Sequence, residues 1–374
     1  MVTRVFAPHD ELVELRTIFR GFLTKRSGEE QVRKTMETAS GYEIEFWRDL
    51  AGLGVLSAAL PEEYGGDGFG VTAAGVVLEE MGADLTCSPY LSTMTAAQYL
   101  VASGDVEACH RYLPAIGDGS VRGTVLTPTG RVRTPQVEAA GSNSSWRLNG
   151  TVGYVVDGHT ADLFVVVAAT TDGPRMFVVE PESTSVSSQP MSVLDRTRKL
   201  AEVNFVDTEA TLLRPSGDVA QRIAAAADRA CVLLACEQAG GASRVLNMAV
   251  QYSKERVQFG RPIGSFQSIK HILADLLVTV ESAKTAARYT AGMADTSDAE
   301  IGAAANLARF YCSDAFVEAA NTNIQVHGGI GFTWEHPAHL YLRRARTSAV
   351  LLGDSQFHRA KFIDRTLAAQ EDHS

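Results

Sequence analysis

The chain has 374 residues, a net charge of −10 and a hydrophobic content of 45%, which indicates a globular protein of two or three packed lobes. Its acidity argues against nucleic-acid binding and against an anionic membrane surface. The N-terminus lacks an apolar signal core, and no apolar run has the length of about 18 residues expected of a membrane span, so we expect a cytoplasmic protein.

Cysteine and histidine spacing argues against disulfides and metal sites. The five cysteines include no C-x-x-C pair, and their number is odd. His327, His336 and His339 show no regular ligand spacing, so we expect structural positions for them and no bound metal.

Residues 1–120 are predicted to form helices. Apolar residues recur with a helical period from Leu12 to Phe19 and again from Phe46 to Leu53. The turn-rich segment Pro61–Gly68 then precedes an apolar helix at about residues 71–81. We therefore expect an N-terminal α-helical domain.

In residues 121–213 the helical period gives way to short β-rich runs, which predict a β domain, either a barrel or a sandwich. Asn149-Gly150 and Asp157-Gly158 separate the first three β-rich runs and suit the left-handed backbone of tight hairpins, which favours an antiparallel arrangement. The runs are Trp146–Leu148, Val152–Val156, Leu163–Ala168, Met176–Val179 and Val203–Val206.

Residues 214–374 return to helical spacing and are predicted to form a C-terminal four-helix bundle. The alanine-rich and leucine-rich segment 219–254 is a strong helix former and breaks at Gly260-Arg261-Pro262. An apolar face with a period of 3.6 residues follows from Ile269 to Val280. The fold class is therefore α+β, in the order α, β, α.

Two C-terminal segments carry the residue types of a cofactor site. The first, RVQFGRPIGSFQSIKHILADL from Arg256, offers a cation, a stacking ring and an amide in Arg256, Phe259 and Gln267. The second begins at Gln325 and passes through a glycine-rich turn at 328–331, where backbone N–H groups can approach an anionic or flat ligand.

Together these segments resemble the acyl-CoA dehydrogenase family, and the resemblance covers nearly the whole chain, most strongly after residue 235. It implies an N-terminal helical domain (1–120), a middle β domain (121–213), a C-terminal bundle (214–374), and FAD held across a subunit interface. By the family's motifs, Arg256 would contact the FAD pyrophosphate and Phe259 the adenine region. The other residues that the resemblance assigns to FAD are Gln267, Gln325, Gly328, Gly329, Gln356, Thr127 and Tyr154.

The β domain departs from the family pattern. The family's T-E-P-x-x-G-S-D loop becomes LTPTGRVRTP from Leu126 to Pro135, in which Thr127 is retained and the acidic and G-S-D elements are not. The K-x-W-I-T-N segment becomes Val152–Asp157. Tyr154 either stacks on the flavin or is an ordinary residue of a half-buried strand.

The catalytic base is the largest departure. Neither family position for the carboxylate holds one here, because the residues are Leu352 and Ala230. Glu237 follows Ala230 by seven residues on the same helix face, displaced by about 10 Å along the axis. Glu237 is therefore either a displaced base or a structural partner of Arg244. Asp354, where the family has a flavin-contacting threonine, either finds a new donor or repels the cofactor.

The resemblance implies FAD-dependent α,β-dehydrogenation of an acyl-CoA thioester, with a steroid side chain or another bulky acyl group as substrate. Electrons would pass to an electron-transfer flavoprotein, and the chain would form a homo-oligomer or a heterotetramer with a homologous subunit. Two alternatives remain. The chain is a non-catalytic or half-site subunit of a heteromeric acyl-CoA dehydrogenase, or it is a flavin-dependent monooxygenase on the same fold.

Overall fold

The computed structural model describes residues 10–128, 136–142, 145–181, 185–214, 217–296 and 301–371, and the altered loop at 129–135 lies outside them. Within these ranges, helices precede and follow a set of strands, which confirms the predicted fold class. The helices are α1 (Asp10–Arg26), α2 (Glu29–Thr35), α3 (Ile44–Gly52), α4 (Gly70–Asp84), α5 (Tyr90–Ser103), α6 (Val106–Gly117), α7 (Val219–Glu255), α8 (Gln267–Ala294), α9 (Ile301–His327), α10 (Ala338–Ser348) and α11 (Ser355–Glu371).

The strands form one mixed sheet and a small hairpin. The sheet strands are β1 (Gly123–Leu126), β2 (Val137–Ser142), β3 (Ser145–Val156), β4 (Leu163–Thr170), β5 (Gly173–Val179), β6 (Val186–Pro190) and β7 (Leu200–Leu212), and the hairpin strands are β8 (Val257–Gln258) and β9 (Arg261–Pro262). Strands β4, β2, β3, β7 and β5 pair in a closed ring, because β5 also pairs with β4. Most pairings are antiparallel, whereas β1 and β2 each pair with β4 in parallel.

The hairpin predicted at Asn149-Gly150 does not form. Both residues lie inside the continuous strand β3, which pairs with β2 on one side and β7 on the other. The register between β3 and β7 shifts at this point, and Gly150 has φ +141°. The glycine is needed because a Cβ atom there would lie 2.3 Å from the carbonyl oxygen of Gln136. The Asn-Gly pair thus marks a bulge in a long strand.

The chain divides into two compact units. One contains residues 1–33, 75–86 and 231–374, and the other contains residues 34–74 and 87–230. The second unit holds the sheet, whose core includes the fully buried rings of Phe164, Phe177 and Phe205. The domain boundaries at 120 and 213 stay a prediction from the sequence.

Within the first unit, helices α4 and α7 pack backbone against backbone. A Cβ atom on Gly82 would lie 2.0 Å from the carbonyl oxygen of Glu237, and one on Gly240 would lie 1.8 Å from that of Glu79. Neither distance is compatible with a side chain. Two glycines, one on each helix, therefore permit the close crossing that places Glu237 in the interior.

Charged residues tie α1, α4 and α8 of the same unit together. Glu79 accepts hydrogen bonds from Arg16 at 2.8 Å and from Arg288 at 2.6 Å. Burial opposes ionisation of Glu79, but the hydrogen bonds from Arg288 and Arg16 outweigh it and lower the pKa of its carboxyl group. Glu80 is bound by Arg16 and Arg20 in the same way.

All five cysteines are buried and free. None of the described helices contains an apolar stretch long enough to cross a membrane.

Candidate functional site

The first cofactor segment is a strained hairpin that presents an aromatic ring to solvent. Helix α7 ends at Glu255, and β8 and β9 pair around Phe259 and Gly260, which have φ +53° and +78°. Positive φ at both central residues is the geometry of a type I′ turn, which is unfavourable for phenylalanine. The Phe259 side chain is 92% exposed. The predicted helix break is confirmed.

The second segment is an exposed turn at the end of α9. Helix α9 passes into a 3₁₀ helix at Gly328–Phe332, and Gly328 adopts φ +66°. Gln325, Gly328 and Gly329 are all exposed. A Cβ atom on either glycine would meet no atom within 4 Å, so the space over the turn is open. A flat ligand can therefore approach the backbone here.

Two rings bring the segments side by side. Tyr252, one turn before Arg256 on α7, stacks on His327, with 4.1 Å between ring centroids and an interplanar angle of 27°. His327 directly precedes Gly328. The end of α7 and the glycine turn thus belong to one surface of the first unit.

The residues of this surface fit a dinucleotide with two phosphates and planar rings. Arg256 and Gln267 are exposed and offer a guanidinium and an amide, Phe259 offers a ring, and the glycine turn offers backbone approach. Gln267 also lies 3.4 Å from His271, one turn along α8. These are the groups that would hold FAD through its phosphates and adenine.

Glu237 lies in the interior of the first unit. Its carboxylate pairs with the guanidinium of Arg344 on α10, and the two side chains are only 6% and 3% exposed. The sequence suggested Arg244 as a structural partner of Glu237, and the structure shows Arg344 in contact with its carboxylate. The contact holds one carboxylate oxygen of Glu237, Oε1, against the guanidinium.

The loop between α10 and α11, which carries Leu352, is fixed by a buried arginine. Arg309 on α9 is fully buried and donates to the carbonyl oxygens of Ser348 at 2.7 Å, Leu351 at 2.5 Å and Gly353 at 3.2 Å. Leu352 itself adopts φ +57°. Arg309 of α9 therefore fixes the backbone of the loop and so the direction of the side chain at position 352.

Asp354 has a hydrogen-bond donor within the protein. Its Oδ1 accepts a hydrogen bond of 2.9 Å from the backbone N–H of Phe357, so the carboxylate caps the first turn of α11. Gln356, on that same turn, is exposed. His358 donates from Nε2 to the carbonyl oxygen of Leu352 at 2.9 Å, and burial together with Arg309 lowers the pKa of this imidazole to about 3.

Thr127 and Tyr154 belong to the second unit. Thr127 is half-buried directly after β1. Tyr154 lies at an irregularity of β3 with φ +61°, its backbone N–H is 3.4 Å from the sulfur of Met191, and its side chain is 65% exposed. Tyr154 is therefore a residue of a partly buried strand with its ring exposed, and its contact with the flavin stays a prediction.

Sequence reasoning missed Arg309 and the role of Arg344. In the sequence, Arg344 stands with Arg343 and Arg346 in a cluster that is typical of a solvated basic helix face. It is instead 2% exposed. One feature of the sequence indicated this burial. Leu340 and Tyr341, which are apolar and buried, precede Arg344 by one turn on the same face of α10.

Comparison with known proteins agrees with this geometry. Residues 9–120 match the acyl-CoA dehydrogenase N-terminal domain, and residues 221–367 match the acyl-CoA dehydrogenase C-terminal domain. Acyl-CoA dehydrogenase IpdE2 of Mycobacterium tuberculosis is 37% identical over 92% of this chain and 94% of its own.

Solved structures agree as well. A variant of the Tcur3481-Tcur3483 steroid ACAD matches with a TM-score of 0.88 and 29% identity, covering 98% of this chain and 99% of its own. The ChsE4-ChsE5 complex from Mycobacterium tuberculosis matches with a TM-score of 0.88 and 28% identity, covering 97% and 98%. The chain belongs to the acyl-CoA dehydrogenase family.

Proposed function

We propose that the chain carries out FAD-dependent α,β-dehydrogenation of an acyl-CoA thioester. The observation that carries this proposal is the surface on which the Phe259 hairpin and the Gln325–Gly329 turn lie side by side. Arg256, Phe259 and Gln267 would bind the phosphates and adenine of FAD, and Gln325, Gly328 and Gly329 would receive the cofactor of the neighbouring subunit. Bound FAD would supply the acceptor for the hydride.

The cofactor would be shared between subunits. Phe259 is almost fully exposed, although burying an aromatic ring of this size is favourable by about 2 kcal/mol. A neighbouring subunit with its flavin would cover this ring. We therefore propose an oligomer, a homo-oligomer or a heterotetramer with a homologous subunit, with an electron-transfer flavoprotein as electron acceptor. Thr127, Tyr154 and Gln356 are the remaining residues that the family resemblance assigns to FAD.

The proposed substrate is a bulky acyl-CoA such as a steroid side-chain thioester. Support comes from the steroid ACAD whose structure matches almost the whole chain. A displaced base suits such a substrate, because a ring-bearing acyl group would move the reacting carbons along α7.

Glu237 is the proposed base, on one condition. Its ion pair with Arg344 must open when the substrate binds, so that the freed carboxylate can remove the α-proton while the β-hydrogen leaves as hydride.

Substrate bleaching of the flavin tests this role. Wild type and Glu237→Gln are loaded with FAD and mixed with a bulky acyl-CoA, and the loss of flavin absorbance is followed under anaerobic conditions. If Glu237 is the base, the variant bleaches slower by about 10²–10⁴-fold. Equal rates would remove Glu237 from the chemistry. Oxygen consumption driven by externally reduced flavin would indicate a monooxygenase.

A second candidate function is that of a subunit that completes a partner's flavin site without its own base. The buried Glu237–Arg344 pair favours it, because a carboxylate engaged in this way is a structural element. The ChsE4-ChsE5 structure, a complex of two proteins, offers a precedent for a mixed assembly. On this reading the chain purified alone is colourless and becomes yellow only when expressed with a homologous subunit.

A further inference from the structure

A stack of three rings lies where the two cofactor segments meet. His327 is 5% exposed, and its ring stacks on that of Tyr252 at 4.1 Å and contacts that of His336 at 4.3 Å with a tilt of 41°. The Nδ1 atom of His327 lies 2.8 Å from the carbonyl oxygen of Asn323, so Nδ1 carries the proton that this bond needs.

Each ring belongs to a different part of the surface. Tyr252 precedes Arg256 by one turn of α7, and His327 adjoins Gly328. His336 accepts a hydrogen bond of 3.2 Å from the backbone N–H of Ala338 and so caps the start of α10. A shift of one ring would therefore be transmitted to the hairpin, to the glycine turn and to α10.

The stack is built for neutral imidazoles. Burial lowers the pKa of His327, and burial together with His327 lowers that of His336. The charged groups that face the stack are Glu29 and Arg33 of α2, while Arg343 of α10 faces the neighbouring His339. The packed histidines have lowered pKa values, whereas the same histidines out of the stack would bind protons at their usual pKa of about 6.5. Protonation therefore favours the unpacked state, and stacking weakens as the pH falls below about 6.5.

We propose that His327 is a positioning residue, whose ring, in contact with Tyr252 and His336, holds the Arg256–Phe259 hairpin and the Gln325–Gly329 turn in the relative position that binds flavin. The proposal rests on the proposed flavin function for the ligand, but the coupling between the two segments is a property of the protein without cofactor. The two parts are therefore tested separately.

Hydrogen exchange of the flavin-free chain tests the coupling. In His327→Ala we expect backbone amides to exchange about tenfold faster in two places, in residues 325–333 around the substitution and in residues 252–260 across the stack. Tyr252→Ala should give the same pair of changes. Acceleration confined to the substituted segment in both variants would overturn the proposal, whether or not the chain binds flavin.

Flavin affinity tests the positioning role. FAD titration, followed by flavin fluorescence, uses the chain alone or with its homologous partner. We expect His327→Ala to weaken FAD binding about tenfold at pH near 8, whereas His327→Phe keeps the stack and retains affinity within about threefold. Between about pH 8 and pH 5.5, wild type should lose affinity and His327→Phe should lose much less.

A control is available in the second unit. His110 contacts Tyr64 edge-on, with ring centroids 4.9 Å apart, so His110→Ala removes another histidine–tyrosine contact and should leave both measurements unchanged. Equal affinities of wild type and His327→Ala, or the same pH dependence in wild type and His327→Phe, would refute the positioning role. A chain that binds no FAD even with its partner would refute the proposed function and leave the exchange result to decide the coupling.

Discussion

Replacing Arg344 by alanine is expected to lower the free energy of unfolding by about 3–5 kcal/mol, because it leaves the Glu237 carboxylate buried without its guanidinium. The two side chains are 3% and 6% exposed, so solvent screens this pair little. Urea unfolding followed by circular dichroism measures the change. The double variant Glu237→Leu/Arg344→Met, which replaces both charges by apolar groups of similar volume, should recover most of the loss.

A surface pair provides the control for this experiment. Arg359 pairs with Asp314 between α11 and α9, and the side chains are 53% and 47% exposed. Exposed pairs contribute about 0–1 kcal/mol, so Arg359→Ala should change stability little. A small loss in Arg344→Ala, similar to that in Arg359→Ala, would show that Glu237 is not committed to this pair and would strengthen its case as a base.

Gly240→Ala is expected to lower the free energy of unfolding of the first unit by about 3 kcal/mol, because a close contact between two helix backbones leaves no room for an added methyl group. The added methyl group would lie 1.8 Å from the carbonyl oxygen of Glu79, so α4 and α7 would have to separate. Thermal or urea unfolding would show the loss as a lower midpoint. Because α7 carries Glu237, the displacement would also disturb the Arg344 ion pair.

Gly21→Ala is the matched comparison. Gly21 lies within α1, and a Cβ atom there would meet no atom within 4 Å. Alanine is a better helix former than glycine by about 1 kcal/mol, so this substitution should be neutral or stabilising. If both glycine substitutions had the same small effect, the close crossing of α4 and α7 would not be a constraint on the fold.

Local sequence signals predicted the helices well and the sheet less well. The segment predicted as helix at 219–254 is α7 at Val219–Glu255, because alanine and leucine have high intrinsic helix propensities. The Asn149-Gly150 pair is compatible both with a hairpin turn and with a β-bulge, so the local sequence does not distinguish the two. Which one forms depends on β2 and β7, strands whose pairing with β3 the local sequence does not specify.

The same division holds for the candidate site. Phe259, Gln325 and Gly328 were identified from contiguous motifs, and the structure places them in exposed segments that adjoin through Tyr252 and His327. The partner of Glu237 was not identified, because Arg344 lies 107 positions further along the chain. Helical periodicity identifies the face of α7 on which Glu237 lies. The residue that contacts this face depends on which other helix packs against α7.

The most direct test of the central claim measures FAD binding to wild type and to the double variant Arg256→Ala/Gln325→Ala, each purified alone and with a homologous subunit. Arg359→Ala serves as the arginine control. We predict that wild type and the control bind FAD and give a flavin spectrum, whereas the double variant binds at least about a hundredfold more weakly. Equal FAD affinity of the double variant and wild type would contradict the assignment of this surface to the cofactor.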